Sequence, residues 1–127
     1  MGTGTPLGRV RGLGSSHEGT HHWWRQRLTA GSNLFLMTWL MVSLARMPAF
    51  DFSIVHDWLH SAWVAVPMAM LFASVVYHLR LGLQVVIEDY AHAESRVVLT
   101  VLLNAYTALV AGVAIFAILR IAFGSPL

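Results

Sequence analysis

A chain of 127 residues that is 57% hydrophobic and 11% charged, with a formal charge of only +2, has room for one domain and too little charge to coat a water-soluble globule; soluble domains carry about a quarter of their residues as Asp, Glu, Lys and Arg. Cysteine is absent, which excludes disulfides, thiolate metal sites and a cysteine nucleophile, and leaves imidazole from seven histidines as the ligand for any transition metal. All eight basic residues are arginine, with no basic stripe interleaved with aromatics, so nucleic acid is not an expected partner.

The first twenty residues are rich in Gly, Ser and Thr, carry Arg9 and Arg11, and lack an apolar core. Residues 1–20 are therefore expected to form a flexible segment ahead of a membrane domain spanning 21–127. Gly19-Thr20-His21-His22-Trp23-Trp24-Arg25-Gln26-Arg27 follows and leads directly into the first apolar run. His21 and Arg27 sit at the membrane border. There they can pair with an anionic group, or simply form a basic flank with an aromatic belt.

Three apolar runs follow, each long enough for the roughly 20 residues that cross a bilayer core. They predict helices over about 27–46, 58–88 and 95–123, joined by short connections at Arg46–His60 and Glu88–Arg96. The fold class expected is all-α and integral to the membrane, with lipid as the surrounding solvent. Trp23, Trp24, Trp58 and Trp63 fall near the helix ends, where indole rings favour the headgroup level. Arg9, Arg11, Arg25 and Arg27 precede the first span against one Arg46 in the next connection, so the N-terminus is expected on the cytoplasmic side.

The second run holds nearly all the intramembrane ionisable groups, and such groups mark a site or a protein-facing surface by default. His78 lies well inside it, with Arg80, Glu88, Asp89 and Tyr90 beyond. His78 and Asp89 are 11 residues apart, about three turns or 16 Å, which puts them on nearly one face. Gly82, one turn after His78, removes bulk beside the imidazole; a flat macrocycle or a neighbouring helix can use the space. Ser74, one turn before, is positioned to take the Nδ1 proton and leave Nε2 for a metal. His78 can equally serve as an interhelical hydrogen-bonding group that binds nothing.

Taken together, two stretches resemble the hydrophobic membrane-anchor family of bacterial succinate dehydrogenase (respiratory complex II). One is His78-Leu-Arg-Leu-Gly82-Leu-Gln84-Val-Val-Ile-Glu-Asp89-Tyr90, with the family's histidine, glycine and Asp-Tyr in register. The other is Gly19-Thr-His21-His-Trp-Trp-Arg-Gln-Arg27-Leu-Thr29-Ala30. The resemblance begins near Gly12.

It implies a three-helix anchor in the bacterial inner membrane that packs with a second membrane anchor and docks an iron–sulfur subunit and a flavoprotein subunit. By resemblance His78 is one axial ligand of a b-type haem shared with that second anchor. His21 and Arg27 approach the haem propionates, with Ser74 and Gly82 in the haem pocket. Tyr90 and Asp89 lie at the ubiquinone site. The same resemblance admits the anchor of a quinol:fumarate reductase, and a small non-haem membrane protein stays open beside it.

Overall fold

The computed structural model describes residues 5–10 and 19–124. Among them the chain is helical throughout: α1 (Pro6–Val10), α2 (Gly19–Ala45), α3 (Phe52–His60), α4 (Ala62–Tyr90) and α5 (Ala93–Phe123). Residues 1–4 and 11–18 of the expected N-terminal segment, and 125–127 at the other end, lie outside the described residues. Helices α2, α4 and α5 are each long and apolar enough to cross a membrane.

Helices α2 and α5 start earlier than the expected 27 and 95, whereas α4 starts later than 58, at Ala62, and runs two residues past 88, to Tyr90. Nothing between Gly19 and Leu28 breaks a helix, so His21, His22 and both tryptophans are already helical in α2. That helix stops at Ala45, three residues before Pro48, whose ring disfavours α conformation in the residue preceding it. At the other junction only Ala91 and His92 separate α4 from α5, so most of the expected Glu88–Arg96 connection is helix.

The connection expected over Arg46–His60 contains a helix of its own. Asp51 (φ −68°, ψ 150°) is the extended residue before α3, and Ile54, Val55, Trp58 and Leu59 form its part-buried side. Phe52, Asp57 and His60 face outward. Trp58 thus belongs to α3 and not to the second span. Ser61, in extended conformation, is the single residue between α3 and α4, and its carbonyl accepts from the amides of Val64 and Ala65. Pro67 lies six residues into α4, near the helix end, where the carbonyl it leaves unbonded is that of the exposed Trp63.

Helix α4 is the centre of the bundle. It packs against α2 on one side and α5 on the other, and α2 and α5 do not pack on each other. At the end of the bundle that holds α3, Ala65, Met68 and Leu71 of α4 meet Ile118 of α5, with Leu36, Trp39 and Leu40 of α2 and Trp58 and Leu59 of α3 packed around them. Trp39 and Trp58 stack with centroids 6.4 Å apart. Most other large apolar side chains face outward, which in water would be untenable and in lipid is ordinary. Hydroxyls within the spans bond back to their own helix: Thr38 to the Leu34 carbonyl at 2.7 Å and Thr107 to that of Leu103 at 2.8 Å.

The tight α4–α5 connection forces Ala93 to φ +48°, the left-handed region that L-residues enter at a cost of about 1 kcal/mol. The clamp around it is polar: Gln84 Nε2 donates to Glu88 Oε1 at 3.0 Å, Arg96 approaches the same carboxylate oxygen at 3.8 Å, and Ser95 Oγ donates to the His92 carbonyl at 2.6 Å. Ala93→Gly is expected to raise thermal stability in detergent by up to about 1 kcal/mol, and Ala93→Val to lower it. A thermal shift of opposite sign for the glycine variant would show that the turn is not strained.

Candidate functional site

Residues 22, 26, 29 and 33 recur at spacings of four, three and four, which gathers them on a stripe about 60° wide along α2. All four are polar: His22, Gln26, Thr29 and Asn33. This stripe meets the Ser74–His78–Gly82 face of α4. Thr29 Oγ1 and His78 Nδ1 are 2.9 Å apart, Gln26 Nε2 lies 3.4 Å from His78 Nε2, and a Cβ built on Gly82 would stand 3.8 Å from Gln26 Nε2. The two helices run antiparallel, and these contacts fix their register. A polar seam therefore runs between α2 and α4, with His78 in its middle.

The tautomer of His78 follows from Thr29. The Thr29 hydroxyl has one proton, and it points to the backbone of its own helix, with the Arg25 carbonyl at 2.9 Å and that of Gln26 at 3.1 Å. Its lone pairs are what remain for His78, so Nδ1–H donates to Thr29 and Nε2 carries the lone pair. That is the imidazole form that ligates a metal through Nε2. The hydrogen bond expected from Ser74 is thus made by Thr29. Ser74 lies on the same face, but its Oγ is buried and bonds to nothing among the described residues. Reasoning within one helix saw the residue one turn away; the residue that makes the bond comes from the facing helix.

Gly82 borders the seam as expected, but the space over it is moderate. A Cβ there would make only ordinary contact with Gln26. Tyr90 and Asp89 lie together at the end of α4, both exposed, with Tyr90 at 80%. His21 and Arg27 are exposed on α2. Arg27 sits over the Trp23 ring at 5.5 Å, and it points about opposite to Thr29 around the helix. His22 is the histidine of that pair that lies on the seam. Arg80, on the far side of α4 from His78, donates through Nε to Asn104 Oδ1 of α5 at 2.6 Å. Gln26 and Thr29 were not among the residues singled out by sequence. The polar stripe 22-26-29-33 was the signal available for both.

Among the described residues no three His, Cys, Asp or Glu side chains gather to hold a metal ion. A lone neutral imidazole suits a metal that arrives already chelated by four other donors. His78 would serve such a group through Nε2, where the Gln26 amide is the present neighbour; its 3.4 Å contact, long for a hydrogen bond, is the one that would open.

Three membrane-crossing helices with a polar seam and one mid-span imidazole define a multi-pass helical membrane protein. Residues 1–119 match the family of succinate dehydrogenase/fumarate reductase transmembrane subunits, and the chain belongs to that family. It is similar to the succinate dehydrogenase hydrophobic membrane anchor subunit of Rickettsia bellii (strain RML369-C), 33% identical over 82 residues, which is 65% of this chain and 66% of that one. The Rickettsia conorii protein of the same name is 31% identical over 83 residues, again 65% and 66%. That of Paracoccus denitrificans is 25% identical over 121 residues, 95% of this chain and 94% of that one. The matches to the Rickettsia relatives thus span just under two thirds of their length. No solved structure matches the chain at a significant level.

The tautomer assignment is open to direct measurement. In ¹⁵N spectra of the chain in bilayers, His78 is expected as the Nδ1–H tautomer. Thr29→Val should shift it toward a mixture and weaken α2–α4 association by about 0.6 kcal/mol, and Thr29→Ser should restore both. An Nε2–H ring in the unmodified chain would overturn the donor direction.

Proposed function

We propose that this chain is a membrane anchor subunit of succinate dehydrogenase, holding one side of a b-type haem through His78 and one wall of a ubiquinone site through Tyr90 and Asp89. The family and the names of the relatives support the anchor role. The observation that carries the haem reading is the 2.9 Å Thr29–His78 contact, which leaves the Nε2 lone pair available near the middle of the central span. When bound, the haem supplies a one-electron store inside the bilayer.

The chain's own residues do the rest. Thr29 would orient the ring and hold the proton at Nδ1, leaving Nε2 as the nitrogen that would hold the group. At the end of α4, the exposed Tyr90 hydroxyl is free to donate to a quinone carbonyl, and the Asp89 carboxylate beside it adds an acceptor at the membrane border, where the proton chemistry of quinone reduction takes place. The partners this role would require are a second membrane anchor that would supply a further ligand, an iron–sulfur subunit that delivers electrons from succinate oxidation, and the flavoprotein subunit behind it. The orientation that fits places the α4–α5 connection and the start of α2 on the cytoplasmic side, in a bacterial inner membrane.

One observation favours a second reading. Both ring nitrogens of His78 have a partner inside the chain, Thr29 and Gln26, as an interhelical fastener would. His78→Ala separates the two. In the co-expressed complex the variant is expected to lose most of the reduced b-type absorbance while the subunits still co-purify; a full spectrum would leave His78 as a fastener only. Tyr90→Phe is expected to lower succinate:quinone activity about tenfold, the worth of one hydrogen bond of about 1.4 kcal/mol, with reduction of a soluble dye unchanged. Equal loss of both activities would place Tyr90 in assembly, away from the quinone.

A further inference from the structure

Arg80 carries a permanent positive charge far from either membrane border. It stands ten residues before Tyr90, where α4 ends, and so about 15 Å along the axis, half the roughly 30 Å of a bilayer core. Its side chain crosses to α5, where Nε donates to Asn104 Oδ1 at 2.6 Å. Asn104 comes 11 residues after Ala93, the start of α5, which puts it about 16 Å deep and at the same height. The bond therefore holds the guanidinium at mid-depth, against the pull that draws long basic side chains toward the border.

One neutral acceptor does not complete such a group. A guanidinium has five N–H donors; four remain after Nε, and the Asn104 amide adds two more. The ion pairs among the described residues are His56–Asp57 and Glu88–Arg96, so no carboxylate there answers the Arg80 charge. Beside it the α4–α5 interface opens outward as a groove of about 350 Å³, lined by Tyr77, Arg80 and Asn104 together with Ala73, Ala108 and Ala111. Alanines let another backbone come close, and an intramembrane cation marks a site or a protein contact by default.

Depth and charge together select the occupant. A lipid phosphate stays at the headgroup level, about 15 Å away along the helix. A second copy of this chain brings no anion to that height. Its six acidic residues are Glu18 before α2, Asp51 and Asp57 at the α3 end, and Glu88, Asp89 and Glu94 around the α4–α5 turn, so none reaches mid-span in either orientation. A carboxylate on a membrane-spanning helix of another chain meets both conditions, and its two oxygens match the fork of guanidinium donors. We propose that the α4–α5 groove seats one membrane-spanning helix of a different polypeptide, whose Asp or Glu near mid-span pairs with Arg80. This surface lies on nearly the opposite flank of α4 from His78, about 200° around the helix, and depends on neither haem nor quinone.

The test is photocrosslinking of the full-length chain in the membranes of its source organism, with Tyr77→p-benzoylphenylalanine, an aromatic for an aromatic on the groove wall. Irradiation and mass spectrometry are expected to join position 77 to an apolar span of another chain, with an Asp or Glu within about two turns of the attachment point. An adduct to a second copy of this chain, to lipid alone, or to a span without a carboxylate would overturn the proposal. Arg80→Glu is then expected to lower co-purification of the crosslinked chain about tenfold or more, and a matching change of its carboxylate to Arg to restore it. The milder Arg80→Gln should also weaken co-purification, with recovery when the partner's carboxylate is made the corresponding amide. Undiminished co-purification in both single variants, or no recovery in either double variant, would show that the charge pair does not exist.

Discussion

Hydrocarbon offers no hydrogen bonds, and that single constraint accounts for most of what this chain does with its few polar residues. A hydroxyl or amide carried into the bilayer must find its partner inside the protein. Thr38, Thr100 and Thr107 solve this alone, by bonding to carbonyls one turn back. Arg80 is matched by Asn104 across the α4–α5 interface. His78 is matched by Thr29 across the α2–α4 interface. The polar residues that need a partner from another helix thus meet at helix contacts, while Thr38, bonded to its own helix, stands on an outward face otherwise rich in Leu, Val, Phe and Met.

The same constraint explains why the two sides of α4 differ. Toward α5 the contact is largely apolar, with buried Leu103 and Ile118 and two polar links, Arg80–Asn104 and Glu88–Arg96. Toward α2 it is a polar stripe for nearly half its length and apolar thereafter. A group left unpaired in such a place costs about 1–3 kcal/mol. Four on one seam would be a large fraction of the roughly 5–15 kcal/mol that holds a domain folded.

How much of this could be read from the residues varied with the range of the interaction. The three spans were legible because bilayer thickness acts on every residue of a run at once, and the second of them ends at Tyr90. Helix α3 was missed. It has nine residues, bounded by Asp51 and Ser61 and interrupted by Asp57, and its apolar pattern at 54, 55, 58 and 59 is too short to stand out from a connection. Thr29 was missed for another reason. Which residue of α2 faces His78 depends on the rotation and register of two helices 49 positions apart in the chain, and no local spacing reports that. Ser74 was favoured in its place because it is one turn away on the same helix, where sequence arithmetic does work.

The two polar links of α4 have a mechanical side. His78 and Arg80 are two residues apart, so they leave the helix about 200° from each other, one toward α2 and the other toward α5. Tied on nearly opposite flanks at almost the same height, α4 behaves as a spindle held by two cleats. Turning it by one residue's angle would strain both at once. The direction in which Asp89 and Tyr90 are presented three turns further down is therefore set by fastenings deep in the lipid, and a slack in either would be felt at the surface as a change of aim.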